Sequence, residues 1–122
     1  MTSGTGTCSV IANQAGNSNY SAAAQVSQSV NATPLSQTIA FTVPAPATAK
    51  SGDTFTVAAT PGASGNPVVF TSSGVCTNSG ATYTMINNTG TCMVIANQAG
   101  NSNYAAATQI TETCLLYTSR CV

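Results

Sequence analysis

Residues 89–109 read TGTCMVIANQAGNSNYAAATQ, and residues 5–25 read TGTCSVIANQAGNSNYSAAAQ. The two stretches are identical at 18 of 21 positions and lie at a fixed offset of 84 residues. Self-similarity at one offset is typical of a tandem array, and this offset is too long for a solenoid repeat of about 20–50 residues. We therefore expect small all-β domains joined end to end, with the end of one repeat, a linker and one nearly whole repeat in this chain.

The chain carries almost no charge. Its charged residues are Lys50, Asp53, Glu112 and Arg120, and it contains no histidine. Without a basic patch, nucleic-acid binding lacks its electrostatic driving force, and the chain has no apolar run long enough to enter a membrane. The lack of histidine excludes Ser-His-Asp and Cys-His catalysis. Since nothing brings the two carboxylates together, we expect no enzyme activity, no metal and no cofactor.

The last nine residues differ in composition from the rest. Residues 114–122 read CLLYTSRCV and supply two Leu, one Arg and two Cys, whereas the preceding residues contain one Leu, at position 35, and no Arg. The string resembles the translation of a transposon-end adapter used to build sequencing libraries. We therefore expect a non-native tail that takes no part in the fold. The alternative is a genuine short terminal strand.

The cysteines outside this tail form a simple pattern. Cys8 and Cys92 occupy the same position in the repeated stretch, and Cys76 lies 16 residues before Cys92. Two cysteines per repeat predict a Cys76–Cys92 disulfide. Closing that loop contributes about 3 kcal/mol on the chain-entropy model, and the bridge indicates an oxidising compartment. A zinc site would need further Cys or His ligands, so we do not expect one.

Alternating apolar residues between turn signals predict about seven short strands and almost no helix. The side chains predicted to face the core are Ile39, Phe41 and Val43 in residues 37–43, Phe55, Val57 and Ala59 in residues 54–60, Val68 and Phe70 in residues 67–71, and Tyr83 and Met85 in residues 81–86. A short segment around Cys76 completes this part of the domain.

The repeat itself sets the phase of the next strand. Residues 91–97 are predicted to direct Cys92, Val94 and Ala96 inward. Met93 corresponds to Ser9 in the other copy, and a position that accepts both residues is expected to face outward. Residues 104–111 are the predicted last strand. Residues 31–36 are the predicted linker, stiffened by its proline.

The chain resembles a known family over residues 36–113 and again over residues 5–30. The stretch QTIAFTVPAPATAKSGDTFTV, a Gly-Val-Cys segment and GTCMVIANQAGNSNYAAA are similar to the bacterial immunoglobulin-like repeats of large surface and secreted proteins. The resemblance implies an immunoglobulin-like antiparallel β-sandwich. It divides the chain into the last two strands of a truncated repeat (residues 1–30), a linker (31–36), one repeat (37–113) and the tail (114–122).

One loop could bind a ligand. Its amides and aromatic ring suit carbohydrate recognition, and the candidate residues are Asn97, Gln98, Asn101, Asn103 and Tyr104. The structural alternative is that Gly100 and Asn101 permit the positive φ of a tight turn. Tyr104 would then anchor the last strand, with its hydroxyl on a backbone partner. Since the loop is copied in both repeats, the structural interpretation is favoured over specific recognition.

The resemblance implies a structural role. Such repeats are spacers in adhesins and other extracellular or cell-surface proteins, where they present a distal adhesive or enzymatic domain. The expected partners are neighbouring repeats of the same chain, with glycans or a host surface reached only through other domains. The alternative is a carbohydrate-binding β-sandwich module that acts through the Asn- and Gly-rich loops.

Overall fold

A computed structural model describes residues 1–118, and this part of the chain is all-β, with eleven strands and no helix. The abundance of Thr, Val and aromatic residues in these segments favours strands. In chain order the strands are β1 (Thr7–Ala12), β2 (Val26–Asn31), β3 (Ala40–Val43), β4 (Thr48–Ala49), β5 (Thr54–Thr56), β6 (Ala58–Thr60), β7 (Val68–Gly74), β8 (Cys76–Ser79), β9 (Thr82–Met85), β10 (Gly90–Gln98) and β11 (Ile110–Leu116).

β10 is the central strand of the largest sheet, which has the order β4-β11-β10-β7. It pairs antiparallel with both β11 and β7, while the short β4 pairs parallel with β11. Cys92, Val94 and Ala96 are fully buried, and Met93 is 39% exposed. The predicted phase of this strand is therefore confirmed, because alternate side chains of a strand face opposite sides.

A three-stranded antiparallel sheet, β5-β9-β8, supplies the other side of the core. Tyr83 and Met85 point inward as predicted and are 0% and 2% exposed. The Tyr83 ring stacks on Phe55 at a centroid distance of 5.4 Å. Its hydroxyl donates to the Thr71 carbonyl oxygen at 2.7 Å, so the polar end of this buried side chain is satisfied.

The buried residues form two clusters. The main one joins the two sheets, and a smaller one lies near the start of β3. The main cluster contains Ala49, Val57, Cys76, Tyr83, Met85, Cys92, Val94, Cys114 and Leu116. The smaller cluster contains Ile39, Ala96 and Ala107.

Cys76 and Cys92 form the predicted disulfide, with their Cα atoms 5.4 Å apart. Cys76 belongs to β8 and Cys92 to β10. The bridge therefore connects the three-stranded sheet to the four-stranded sheet through the centre of the core. Within the described residues, Cys8 is exposed and Cys114 is buried, and neither forms a disulfide.

The prediction of one strand over residues 54–60 is wrong. The segment divides into β5, which pairs with β9, and β6, which pairs with β3. Between them Val57 is buried, and its amide donates to the Ala81 carbonyl oxygen at 3.0 Å. A chain segment that passes from one sheet to another forms a corner between the two sheets. Here the passage takes place at Val57, whose side chain packs in the core.

The prediction that Val43 faces the core is also wrong. Val43 is 50% exposed, although Ile39 is buried and Phe41 is half-buried as predicted. The pairing of β3 with β6 shifts between Phe41 and Val43. Such an irregularity ends the strict alternation that the sequence suggests, because an extra residue reverses the face of the next side chain.

The last strand begins and ends later than predicted. Residues 104–109 form only an isolated bridge at Tyr104, and β11 begins at Ile110. It then continues to Leu116, three residues into the tail, and Cys114 and Leu116 are 0% and 3% exposed. The fold therefore includes part of the tail, while its non-native origin stays a prediction. Residues 119–122 lie outside the described part of the chain.

Candidate functional site

The asparagine loop, residues 97–104, leads from the end of β10 towards β11. The Asn101 amide donates to the Tyr104 carbonyl oxygen at 2.8 Å. The Asn101 side-chain oxygen accepts from the amides of Asn103 and Tyr104 at 2.8 and 2.9 Å. This is an Asx turn, in which a side chain takes the place of a backbone acceptor. That oxygen is therefore used inside the loop.

Gly100 has a different role from the one predicted. Neither Gly100 nor Asn101 has a positive φ, so the prediction that they supply it is wrong. A Cβ at Gly100 would instead overlap the Tyr104 carbonyl oxygen. The turn needs glycine here because the backbone approaches too closely for a side chain.

Gln98 holds the asparagine loop to the neighbouring loop at residues 61–66. Its side chain is 2% exposed, and its oxygen accepts from the Gly62 amide at 2.7 Å. Its nitrogen donates to the Asn66 carbonyl oxygen at 2.6 Å. A buried amide that is satisfied at both ends has a structural role and is closed to a ligand.

Further side-chain bonds join the same two loops. The Asn101 nitrogen donates to the Ser64 carbonyl oxygen at 2.8 Å. The Asn66 nitrogen donates to the carbonyl oxygens of Ala99 and Gly100 at 3.1 and 3.0 Å. The two loops therefore satisfy each other's backbone groups, which they would otherwise leave to solvent.

Gln37 belongs to this network and was not predicted. It is 7% exposed, and its nitrogen donates to the carbonyl oxygens of Ala99 and Ala105 at 3.2 and 2.8 Å. Its oxygen accepts from the Ser64 amide at 2.8 Å. Strand alternation could have predicted its burial, because Gln37 lies two residues before the buried Ile39 and so faces the same side.

Tyr104 and Asn103 contact the predicted linker. Leu35 forms a parallel bridge with Tyr104. The Leu35 amide donates to the Asn103 carbonyl oxygen, and its carbonyl accepts from the Ala105 amide, both at 2.8 Å. The asparagine loop therefore binds the backbone of the segment that enters β3.

The same loop contacts the N-terminal part of the chain. The Asn103 side-chain oxygen accepts from the Gly4 amide at 3.1 Å. A groove of about 460 Å³ lies at this junction. It is lined by residues 1–4, residues 31–33, Leu35, Asn103 and Tyr104. We call this meeting of the β1–β2 hairpin, the linker and the asparagine loop the joint.

The structure brings four of the five predicted site residues into these contacts. Gln98 and Asn101 serve the loop network, and Asn103 and Tyr104 serve the joint. Asn97 is separate from both, because it pairs with Val69 in the ladder between β10 and β7. Its side chain follows strand alternation and lies on the opposite face from Gln98.

The first copy of the loop, residues 13–20, has the same internal geometry. Asn17 accepts from the amides of Asn19 and Tyr20 at 2.8 and 2.9 Å, the distances found around Asn101. The Ala23 amide donates to the Gln14 carbonyl oxygen at 3.0 Å, as Ala107 does to Gln98. This copy is exposed throughout. The turn is therefore formed by its own residues, without the loop at residues 61–66.

No family model matches this chain, and no curated protein or solved structure matches it. The role of the asparagine loop is therefore inferred from its own contacts. The side chains of Gln98 and Asn101 are bonded to the loop at residues 61–66, whereas Asn103 and Tyr104 line the groove at the joint.

The carboxylates of Asp53 and Glu112 both accept hydrogen bonds from backbone amides. Asp53 accepts from the Lys50 amide at 2.9 Å, and Glu112 accepts from the Ala45 amide at 2.6 Å. Within residues 1–118, no group of three or more His, Cys, Asp or Glu residues is placed to hold a metal ion. In the same residues no helix has the length and apolar character needed to cross a membrane.

Proposed function

We propose that this chain is a structural spacer unit, an immunoglobulin-like β-sandwich that recurs in tandem along a stalk. The observation that carries the proposal is the joint. There the asparagine loop uses the backbone of Asn103 to hold Leu35 of the linker and its side chain to hold Gly4. A loop that contacts the preceding unit of its own chain fits a role in setting the angle between units.

The side chains of the loop support this proposal. Amides that recognise a sugar must present free donors and acceptors to solvent, whereas Gln98 is buried and bonded at both ends. The sequence copies the loop at the same place in both repeats. A repeated contact between units explains that copying better than a repeated ligand site does.

The disulfide supports an extracellular or cell-surface location. Disulfides persist in oxidising compartments and are rare in the cytosol. The Cys76–Cys92 bridge connects the two sheets of a small domain, where an additional link is most useful because so small a core supplies little stability. In a stalk, such a unit would resist unfolding and proteolysis while presenting a distal adhesive or enzymatic domain.

A carbohydrate-binding module is the second candidate. The groove at the joint favours it, since an aromatic residue, Tyr104, and an amide, Asn103, both line it. Aromatic side chains with a polar end are common in small-molecule sites. In this alternative the groove would take a sugar, and Tyr104 would contribute a face for contact.

Orientation of the two parts of the chain tests the spacer proposal. We expect backbone residual dipolar couplings from the β1–β2 hairpin and from β10–β11 to fit one alignment tensor. Leu35→Pro removes the amide that donates to Asn103 and should produce two separate tensors. Ser36→Pro is the matched control and should keep one. Two tensors in the unaltered protein would contradict a joint that fixes the angle.

Binding to a glycan array distinguishes the two candidates. The spacer proposal expects no binding of the full chain to any glycan at micromolar concentration. Binding that is lost in Tyr104→Ala but kept in Tyr20→Ala would favour the carbohydrate module. Tyr20 is the equivalent residue of the first copy and is 76% exposed, so it controls for nonspecific aromatic contact.

A further inference from the structure

The chain contains two hairpins with one register. In β1–β2, Cys8 pairs with Val30 and Ala12 with Val26. In β10–β11, Cys92 pairs with Cys114 and Ala96 with Ile110. Every one of these residues is related to its counterpart by the offset of 84 that relates the two sequences. β1 is identical to β10 at five of six positions, and β2 has Val26 and Val30 where β11 has Ile110 and Cys114, so the two hairpins place similar apolar side chains on corresponding faces.

Only one of the hairpins is covered. In the β10–β11 hairpin, the edge of β10 that faces away from β11 pairs with β7, and the inward side chains of β10 enter the main core. We call this covering the acceptor surface, which consists of the edge of β7 and the buried side chains of Val57, Cys76, Tyr83 and Met85.

The other hairpin has no such cover in residues 1–118. All twelve residues of β1 and β2 are exposed. Val10 is 62% exposed, whereas its counterpart Val94 is fully buried. Cys8 is an exposed thiol, whereas its counterpart Cys92 is bonded to Cys76. A two-stranded hairpin with an uncovered apolar face is marginally stable in water.

We propose that the β1–β2 hairpin of one copy of this chain occupies the acceptor surface of a second copy in place of β10–β11. In that arrangement β1 pairs with the partner copy's β7 as β10 does here. Cys8 then lies where Cys92 lies, against Cys76. The acceptor surface already holds β10, which is identical to β1 at five of six positions and has the same register with its hairpin partner.

The occupant is a second copy because the linker is too short for exchange within one chain. At the position of β11, Asn31 would stand where Leu115 stands, at the far end from Ile110. That strand segment is about 17 Å long. The linker from Asn31 to Leu35 spans at most about 14 Å. Leu35 lies beyond the Ile110 end, next to the position of Tyr104 and two residues before the buried Gln37, whose side-chain oxygen accepts from the Ser64 amide.

The exchange includes a balanced thiol–disulfide step. The Cys8 thiolate of one copy attacks the Cys76 sulfur of the other, and a new S–S bond forms as the Cys76–Cys92 bond breaks. Cys92 leaves as a thiolate and takes a proton from water. The number of disulfides is unchanged, so the step needs no oxidant.

Concentration decides the balance between the two occupants. Exchange replaces β10 by a strand that differs from it only at Ser9, whereas β2 differs from β11 at every position and Ala32 replaces the buried Leu116. Exchange therefore brings no gain in contacts. The chain's own β10–β11 has the advantage of an effective concentration on the order of 1 mM. We therefore expect exchanged copies at no more than roughly 1% when the protein refolds at about 10 µM, and at a larger fraction, up to roughly 20%, at about 1 mM.

Disulfide mapping of the full chain tests the proposal. The protein is unfolded in urea at about pH 8.5 without reductant, refolded by dilution at both concentrations, and its thiols are blocked with iodoacetamide. Trypsin cleaves at Lys50 and Arg120, which separates Cys8 from Cys76, Cys92 and Cys114. Cyanogen bromide cleaves after Met1, Met85 and Met93, so a Cys8–Cys76 bond joins two copies of residues 2–85.

The expected result is a link between fragments 1–50 and 51–120 that maps to Cys76 and increases with protein concentration. A link between two copies of fragment 1–50 would overturn the proposal, since it would mean that two hairpin faces stack on each other through Cys8. Equal linkage to Cys76, Cys92 and Cys114, or no linkage at about 1 mM, would also overturn it.

A matched variant separates register from simple reactivity. Cys8→Ser combined with Ser9→Cys keeps one exposed thiol in β1 but moves it to the opposite face of the strand. We expect this variant to form at least about tenfold less of the link to Cys76. Equal linkage in both proteins would show that the thiol reacts without occupying the acceptor surface.

Discussion

The side-chain oxygen of Gln98 accepts a hydrogen bond from the Gly62 amide at 2.7 Å, in a site where Gln98 is only 2% exposed. This contact joins the end of β10 to a loop 36 residues earlier in the sequence. The loop that the sequence presents as a ligand candidate is therefore anchored from inside the domain. The identical loop of the first copy supplies a control for each of its residues.

Gln98→Leu should lower the free energy of unfolding by about 2–4 kcal/mol, because the Gly62 amide and the Asn66 carbonyl lose their partner while buried. Gln14→Leu makes the same change in the exposed first copy and should cost less than about 0.5 kcal/mol. Urea unfolding followed by circular dichroism measures both. Equal effects at the two positions would refute a structural role specific to Gln98.

The double change Cys76→Ala with Cys92→Ala should lower the free energy of unfolding by about 3 kcal/mol, since the closed loop spans 16 residues. Reduction of the unaltered protein should have a similar effect. Cys8→Ala removes a thiol that forms no disulfide within residues 1–118 and should change stability little. Thermal unfolding with and without reductant compares the three proteins. A large loss in Cys8→Ala would contradict this assignment.

Stability should fall as pH rises through about 8.5 and above, because an unfolded thiol is half ionised at that pH. Burial, and then the charge of Asp53, raises the pKa of the Cys114 thiol in the folded protein. The folded state therefore keeps a proton that the unfolded state releases, so its advantage is lost with increasing pH, by at most about 1.4 kcal/mol per unit for one group.

Cys114→Val tests this assignment, and valine is the residue that the first copy has at the equivalent position, Val30. Its unfolding free energy should depend less on pH between about 8.5 and 9.5 than that of the unaltered protein. Unfolding in urea at several pH values measures the slope. An unchanged slope would assign the pH dependence to another group.

Tyr83→Phe should cost about 1 kcal/mol, because it removes the bond to the Thr71 carbonyl oxygen and keeps the stacking on Phe55. Tyr20→Phe alters a tyrosine that is 76% exposed and should be close to neutral. Urea midpoints of the two variants give the comparison. A neutral Tyr83→Phe would mean that water replaces the lost hydroxyl.

The parts of the fold that the sequence predicted well are those where two independent signals agree. For β10, strand alternation and the Met93–Ser9 difference both assign Cys92 and Val94 to the core, and both are fully buried. Tyr83 and Met85 were predicted from alternation alone in a regular strand, and both are buried. Where the backbone stays regular, a period of two residues is enough.

The failures occur where the backbone leaves that period. Val43 follows a register shift, and the segment at residues 54–60 changes sheets at Val57. Neither the register shift between residues 41 and 43 nor the change of sheet at residue 57 falls on a glycine or proline, and Pro44 marks only the end of β3, so the local sequence does not reveal either event. The start of the last strand was wrong for a different reason: Asn103 and Ala105, on either side of Tyr104, bond to Leu35, which is distant in the sequence.

The sequence predicted which residues belong to the candidate site but not the contacts that they make. The composition of residues 97–104 identified the loop and its turn, but the turn depends on the Asn101 side chain and not on the positive φ that was predicted. The partners of Gln98 lie at residues 62 and 66 and depend on the complete fold. Gln37 was missed because a polar residue at a core-facing position has no local sign of what will satisfy it.

β4 pairs in parallel with β11, the last strand of the unit, so the chain enters β4 and leaves β11 at opposite ends of this strand pair. A pull along the chain loads such a pair in shear, so its bonds must break together. The bonds concerned are those from Leu115 to Ala47 and from Tyr117 to Ala49, at 3.0 and 3.3 Å. Once they have yielded, the 16-residue disulfide loop still cannot extend, which shortens the released length by about 50 Å.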